Sequence, residues 1–323
     1  MQAYLPLCLQ SLMCKNRDVL EIIVVNDGSK DNTLKIANQF AKDYPTIIKV
    51  IDKFNGNYGS CINRGLKEAS GKYVKILDAD DCFDTESLDK YIEELTKTKA
   101  ELVINDFVKV WSDKEKQITS SLQSDSDLDF INVCNQNKHL WNIQMHQVCY
   151  LRTMLLNICY HQTEGISYTD QEWTFAPLSA VRTVKYIPVP LYRYTLGREG
   201  QSVSAQFGYK HFDDNITCTS TMLREMSQMK DLPKSIYQLL QYKLFRRCKY
   251  IYRTYLLKLN TNDFTHLKEL DAEILRCNPQ LYHNLGKLML STPLLCIRFI
   301  SLWRKNPNNR ILSTAIKIYR RMH

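Results

Sequence analysis

The sequence predicts an α/β protein in which a mostly parallel sheet carries helices on both faces and an all-helical region follows. Three observations carry that expectation. Near-continuous apolar runs of strand length, 20–26 and 47–51 among them, alternate with segments of helical spacing, as in parallel strands covered on both faces. The runs end in clusters of turn-forming or acidic residues, the place where open α/β sheets bind ligands. From about Phe207 onward only helical spacing remains.

In chain order, Pro6 enters an opening helix whose Leu5, Leu9 and Leu12 share one face. The apolar run 20–26 then ends in Asp27-Gly28-Ser29-Lys30-Asp31-Asn32-Thr33, a turn that leads into a helix capped by Asp31 or Asn32. The unit repeats with a strand at 47–51, the turn Asn55-Gly56-Asn57-Tyr58-Gly59 and a helix over about 60–69, with Gly71 as its C-cap. Residues 73–77 read as a third strand, 88–95 as a helix and 101–106 as a fourth strand. The polar stretch 109–138 shows no placeable pattern. Thr169 with Glu172 suggests a capping box for a helix reaching about Ala180. Short strands at 183–187 and 191–194 surround Pro188 and Pro190, and a glycine-punctuated loop covers 197–202. The expected division is a domain over 1–206, with halves at about 1–110 and 111–206, and a helical region over 207–323.

At 323 residues the chain is long enough for such a division, and 44% hydrophobic with 24% charged residues is ordinary for a soluble globular protein. The net charge of +9 is concentrated in the last third. It fits an anionic membrane surface or a polyanionic substrate, and equally the solvated face of helices. No nucleic-acid-binding module accompanies it. The eleven cysteines form no C-x-x-C pair, and their scatter matches buried residues in a reducing compartment. The most apolar stretch, 288–303, is interrupted by Pro293 and Arg298 and falls short of a spanning helix. The expected location is cytoplasmic, at most peripheral on the inner face of the membrane.

The stretch that organises the chain is Leu77-Asp78-Ala79-Asp80-Asp81. Carboxylates crowded at a strand end repel one another and call for a cation between them. A D-x-D pair there, Asp78 with Asp80, suits one hard divalent ion that keeps coordination sites for phosphate oxygens. The competing reading is a solvated acidic turn capping the helix that Asp84, Thr85 and Glu86 would begin. No G-x-G-x-x-G follows a strand, which argues against a dinucleotide-dependent oxidoreductase.

Taken in order, Val25-Asn26-Asp27-Gly28-Ser29, Asn57-Tyr58-Gly59, Asn63-Arg64-Gly65, Gly71-Lys72-Tyr73 and the acidic stretch resemble the family 2 glycosyltransferases of the GT-A fold over roughly 3–200. That resemblance implies an inverting, metal-dependent transfer from a nucleotide diphosphate sugar, most plainly a UDP-sugar. Asp27 would face the base, and Asn63 would lie near the donor sugar. Asp78 and Asp80 would hold Mn²⁺ or Mg²⁺ against the diphosphate. Asp81 would orient the loop, touch the ribose or cap the next helix. Asp170 would be the general base, with Glu172 as substitute, and the alternative for both is simply to favour a helix N-terminus. Trp173 would offer a face to a sugar or sit in the core, while Arg198 and Gln201 would hold diphosphate or acceptor. The implied acceptor is a surface polysaccharide, a teichoic-type polymer or a lipid-linked glycan, with membrane contact through the basic C-terminal helices and a dimer as one assembly.

Two features depart from the family's pattern. Ile62, not arginine, precedes Asn63, with Arg64 on the other side. The family's usual first strand, with its Pro-x-Tyr-Asn-like turn, would come before Tyr4. The expectation is therefore either a fragment of a longer frame or an impaired member that binds nucleotide sugar without turnover.

Overall fold

The computed structural model describes residues 1–120, 122, 126–198, 201, 204–259, 261 and 263–322. The chain divides into two compact units, Met1–Phe207 and Gly208–His323.

In the first unit, helix α1 (Leu5–Gln10) buries Leu5 and Leu9. Strand β1 (Ile22–Asp27) pairs parallel with β2 (Ile48–Lys53), in register from Ile22 opposite Ile48 to Asp27 opposite Lys53. Helices α2 (Thr33–Asp43) and α3 (Asn57–Glu68) follow these strands. Gly28 turns the chain out of β1 at φ +71°, where a side chain would be strained.

A second sheet contains β3 (Tyr73–Val74), β4 (Cys82–Phe83), β5 (Leu102–Val110), β6 (Glu115–Ile118), β7 (Leu128–Asp129), β8 (Val148–Leu151) and β9 (Thr183–Thr195), in the order β3-β8-β5-β9-β4. β6 flanks β5, and β7 flanks β9. Its long ladder, β5 with β9, is parallel, and the shorter ones are antiparallel. The β5–β9 register slips opposite Pro188 and Pro190, from Asn105–Ile187 to Asp106–Pro190. Proline has no N–H to give a ladder, so the pairing skips there and the two expected strands become one irregular strand. The central β5 is buried along Leu102–Phe107, its polar Asn105 and Asp106 included.

Helix α4 (Thr85–Lys97) starts where Asp84 accepts from the Ser87 N–H at 2.9 Å, and so extends a turn beyond its apolar stripe. The stretch without a sequence pattern folds as β6, β7 and α5 (Phe130–Gln136). α6 (Arg152–Asn157) and α7 (Asp170–Trp173) complete the unit, and α8 (Ala205–Lys210) runs across its boundary.

The second unit contains α9 (Phe212–Gln228), α10 (Lys234–Arg253, continued by a π turn), α11 (Thr265–Cys277), α12 (Pro279–Gly286), α13 (Phe299–Lys305) and α14 (Arg310–Met322). Contrary to a purely helical expectation, a two-residue hairpin, β10 (Leu290–Ser291) with β11 (Cys296–Ile297), interrupts the helices at Pro293. Asn278 accepts from the Leu281 N–H and exchanges amide hydrogen bonds with Gln241, joining α10 to the α11–α12 corner. Arg304 lies 3.4 Å from the ring centroid of Tyr282 and forms an ion pair of 2.7 Å with Asp271.

Two glycines of α3 make a stability test. A Cβ at Gly59 would overlap the Thr163 carbonyl, with its carbon only 3.0 Å away, whereas one at Gly65 would meet nothing closer than Val25 Cγ2 at 4.0 Å. Gly59→Ala should therefore cost about 1–3 kcal/mol by overpacking. Gly65→Ala should be neutral or stabilise by up to about 1 kcal/mol. Thermal midpoints moving the same way in both variants would contradict this packing.

Candidate active site

The expected strand at 73–77 pairs only at Tyr73 and Val74. Beyond them the Lys75 side chain takes over from the ladder. Its buried ammonium donates to Asn105 Oδ1 at 2.7 Å, the His146 carbonyl at 3.1 Å and the Val148 carbonyl at 3.3 Å. Burial pulls this amine down to about 8. It holds the 146–148 backbone against the turn that carries the aspartates.

Ligand-type atoms of Asp78, Asp81 and His146 lie within 4.8 Å of one another. Tyr58 Oη donates to Asp78 Oδ1 at 3.1 Å. The Tyr192 hydroxyl accepts from the Asp78 N–H at 3.2 Å and donates to Asp81 Oδ2 at 2.8 Å. The Thr195 N–H donates to Asp81 Oδ1 at 2.8 Å. Burial, reinforced by the neighbouring carboxylates, pushes Asp78 up to about 8. Burial, with the Asp80 charge adding to it, raises Asp81 to about 7. The His146 ring stacks on Tyr194 and Phe107, at 4.2 and 5.2 Å between centroids. Burial holds it neutral, down at about 3, and its buried Nδ1 has no hydrogen-bond partner among the described residues. A neutral imidazole with an orphaned nitrogen beside two carboxylates that resist ionising is a donor set a divalent cation would satisfy.

The cluster that the structure brings together differs from the expected pair, Asp78 with Asp80. Asp80 is turned toward Arg198, with which it forms an ion pair, and the third carboxylate, Asp81, stands beside Asp78 instead. Asp81 is 4% exposed, too buried for the solvated acidic turn considered from sequence. The Arg198 guanidinium sits 4.4 Å from the Tyr4 ring centroid. Gln201 accepts from the Arg198 N–H at 3.0 Å and donates to the Thr195 carbonyl at 2.6 Å, tying the loop to the end of β9. Glu199, Gly200 and Ser202 of that loop lie outside the described residues.

At the end of β1, Asp27 pairs with Lys53 and accepts from the Gly56 N–H at 2.9 Å through the same oxygen, Oδ1. Asn63 spends its amide on one loop: it accepts from the Gln162 N–H at 2.8 Å and donates to the Gln162 carbonyl and Glu164 at 2.9 and 2.8 Å. Gly59 leaves room for that loop to lie on α3.

Asp170 opens α7, and its Oδ2 accepts from Gln171 at 2.8 Å. It is near enough for its charge to help raise Asp78 and the Tyr58 hydroxyl, after burial and the closer aspartates. The expected capping box does not form. Thr169 is helical and fully buried, and Glu172, 1% exposed, accepts from the Thr163 N–H and hydroxyl, each at 2.8 Å. Glu172 thus anchors the 161–165 loop and does not face a cleft as a substitute base would. Trp173 is a correction too. It is fully buried against Tyr150 and Tyr160, with no face for a sugar, and α7 ends there, well short of Ala180.

His146, Lys75, Lys53, Tyr58 and Tyr192 had no sequence signal as site residues. Lys75 lies on the expected strand that leads to the acidic turn and Tyr58 within Asn57-Tyr58-Gly59, while the fold brings in the others from outside these motifs.

The raised carboxyls have a pH consequence. Without a cation, the folded protein keeps protons that the unfolded chain releases above about pH 4. The stability these protonated carboxyls contribute is therefore present below pH 4 and is lost as pH rises toward about 8. Added Mn²⁺ should raise the thermal midpoint more at pH 8 than at pH 6, because at pH 6 it must displace protons. Asp78→Asn should remove that response and stabilise the cation-free protein at pH 8. A Mn²⁺ response independent of pH, or surviving in Asp78→Asn, would exclude this cluster.

Residues 2–155 match the family model described as Glycosyl transferase family 2. The chain is 26% identical over 256 residues to the glycosyltransferase EpsH of Bacillus subtilis, covering 73% of this chain and 70% of EpsH. It is 26% identical over 212 residues to the glycosyltransferase MG060 homolog of Mycoplasma pneumoniae, covering 65% and 69%. Residues 1–349 of S. aureus TarS, solved with UDP and with UDP-GlcNAc, match with a TM-score of 0.74 at 17% and 18% identity, covering 100% of this chain and 89% of that one. The chain is a glycosyltransferase: residues 2–155 place it in family 2, and its architecture is the GT-A fold.

Proposed function

We propose that the first unit transfers a sugar, with inversion, from a UDP-sugar to a hydroxyl of a growing glycan, a teichoic-type polymer, surface polysaccharide or lipid-linked oligosaccharide being the acceptor class. The observation that carries this reading is the meeting of two kinds of acid. Asp81 is buried and Asp78 half-buried beside a neutral His146, while Asp170 stands close by on a separate helix. The first group suits a cation and a diphosphate, and the second suits proton removal. The UDP complexes of TarS support the choice of nucleotide.

Asp27, held by Lys53 and the Gly56 N–H through Oδ1, can turn Oδ2 to the N–H of a uracil. Asp78, Asp81 and His146 would hold Mn²⁺ or Mg²⁺, which when bound offsets the charge developing on the departing diphosphate. Asp80 keeps the Arg198 guanidinium at the same rim, a second cation for phosphate oxygens. Asp170 takes the proton of the acceptor hydroxyl as its oxygen attacks the anomeric carbon. The loop at 161–165, fixed by Asn63 and Glu172, positions α7 for that step.

Asp170→Asn should bind UDP-sugar in the presence of Mn²⁺ as the parent does, while turnover falls by on the order of 10²–10⁴. Release of UDP from a panel of UDP-sugars, measured with and without Mn²⁺, supplies the turnover. Equal loss of binding and turnover would assign Asp170 a structural role. No UDP-sugar binding by the parent chain would overturn the donor class.

A further inference from the structure

The second unit carries twenty Lys and Arg against eight Asp and Glu, a net of +12 that exceeds the +9 of the whole chain. Within it lies the most apolar stretch of the sequence, 288–303, which the fold divides in two. Phe299, Ile300 and Trp303 enter the core of the unit, as does Leu290. Met289, Pro293 and Leu294 face solvent, Leu294 at 78% exposure.

The exposure of Leu294 is built into the backbone. β10 and β11 pair Leu290 with Ile297 and Ser291 with Cys296. Their turn closes on itself: the Thr292 N–H donates to the Leu295 carbonyl at 2.7 Å, and the Leu295 N–H donates to Thr292 Oγ1 at 3.0 Å. Pro293 sets the turn with a fixed φ. Leu294 is held outward at the tip and cannot fold back onto the unit without breaking those bonds. At the base of the same hairpin stand the exposed cations Lys287 and Arg298.

A single exposed leucine is ordinary. An apolar tip on a closed turn, two cations at its base and a strongly basic unit behind it are an amphiphilic arrangement with one natural counterpart. We propose that this hairpin docks the protein on an anionic lipid bilayer, with Leu294 and Pro293 entering the headgroup–acyl boundary and Lys287 and Arg298 pairing with lipid phosphates. A soluble polyanionic glycan would match the charge but leave Leu294 in water, so the apolar tip favours the bilayer. The inference rests on the second unit alone and does not depend on the catalytic reading.

The full chain should co-sediment at low salt with vesicles of phosphatidylcholine containing about one third phosphatidylglycerol, and not with phosphatidylcholine alone. Leu294→Ser should weaken that partition about tenfold with an unchanged thermal midpoint. Lys287→Gln with Arg298→Gln should weaken it by on the order of tenfold or more. In Leu294→Trp, mixed vesicles should shift the added emission to the blue, and brominated acyl chains should quench it. Absence of binding, binding by Leu294→Ser equal to that of the parent, or a Leu294→Trp emission that vesicles leave unchanged would each overturn the proposal. A polyanionic glycan that binds the parent and Leu294→Ser alike, with no vesicle binding by either, would reassign the basic face to a polymer.

Discussion

The interaction on which the first unit depends is the crowding of two carboxyl groups, the half-buried Asp78 and the buried Asp81, beside His146. Lifting Asp78 from 3.8 to about 8 corresponds to roughly 6 kcal/mol against its ionised form, a large share of what keeps a domain folded. The surroundings are arranged to make that tolerable. Hydroxyls of Tyr58 and Tyr192 and the Thr195 N–H donate to the two carboxyls, and Lys75 stitches the neighbouring backbone together from beneath. Arg198, whose charge also acts on Asp81, is engaged by Asp80. A site built this way is held ready for a cation at the expense of stability without one, the usual relation between function and local strain in energy.

A second arrangement concerns delivery. Asp170 sits on a helix of four residues, too short to hold its own position. Its placement is borrowed from the 161–165 loop, which Asn63 grips from α3 and Glu172 grips from α7 itself. Gly59 permits the loop to approach, and the Gly165 N–H closes it on the Gly56 carbonyl at 2.8 Å. Asn63 and Glu172 thus serve the geometry of a neighbouring loop. A fully satisfied side chain such as Asn63 contributes most through the loop it fixes.

The two units also differ in chemistry. The first sets acidic groups into its interior, and the second carries an excess of bases and an exposed apolar hairpin tip. Buried acids create a site for cations and phosphate, while exposed bases create a long-range field that acts on a surface or polymer. The excess of basic residues thus lies in the second unit.

The alternation of apolar runs and helical segments made the α/β class, the strand at 22–27 and the acidic turn legible in sequence, because burial on both faces and local turn chemistry act over a few neighbouring residues. The same locality explains what was hidden. Pro188 and Pro190 suggested two strands, but β5 could pair past them, so one irregular strand formed. Trp173 and Glu172 carried the composition of a site and became core and loop anchor, because Tyr150, Tyr160 and Thr163 reached them from elsewhere. Sequence alone determined which residues could carry charge at the ends of the strands. Only the tertiary structure decided that Asp78 faces Asp81 and His146 while Asp80 faces Arg198, because burial and opposite charge depend on groups far along the chain that no local spacing records.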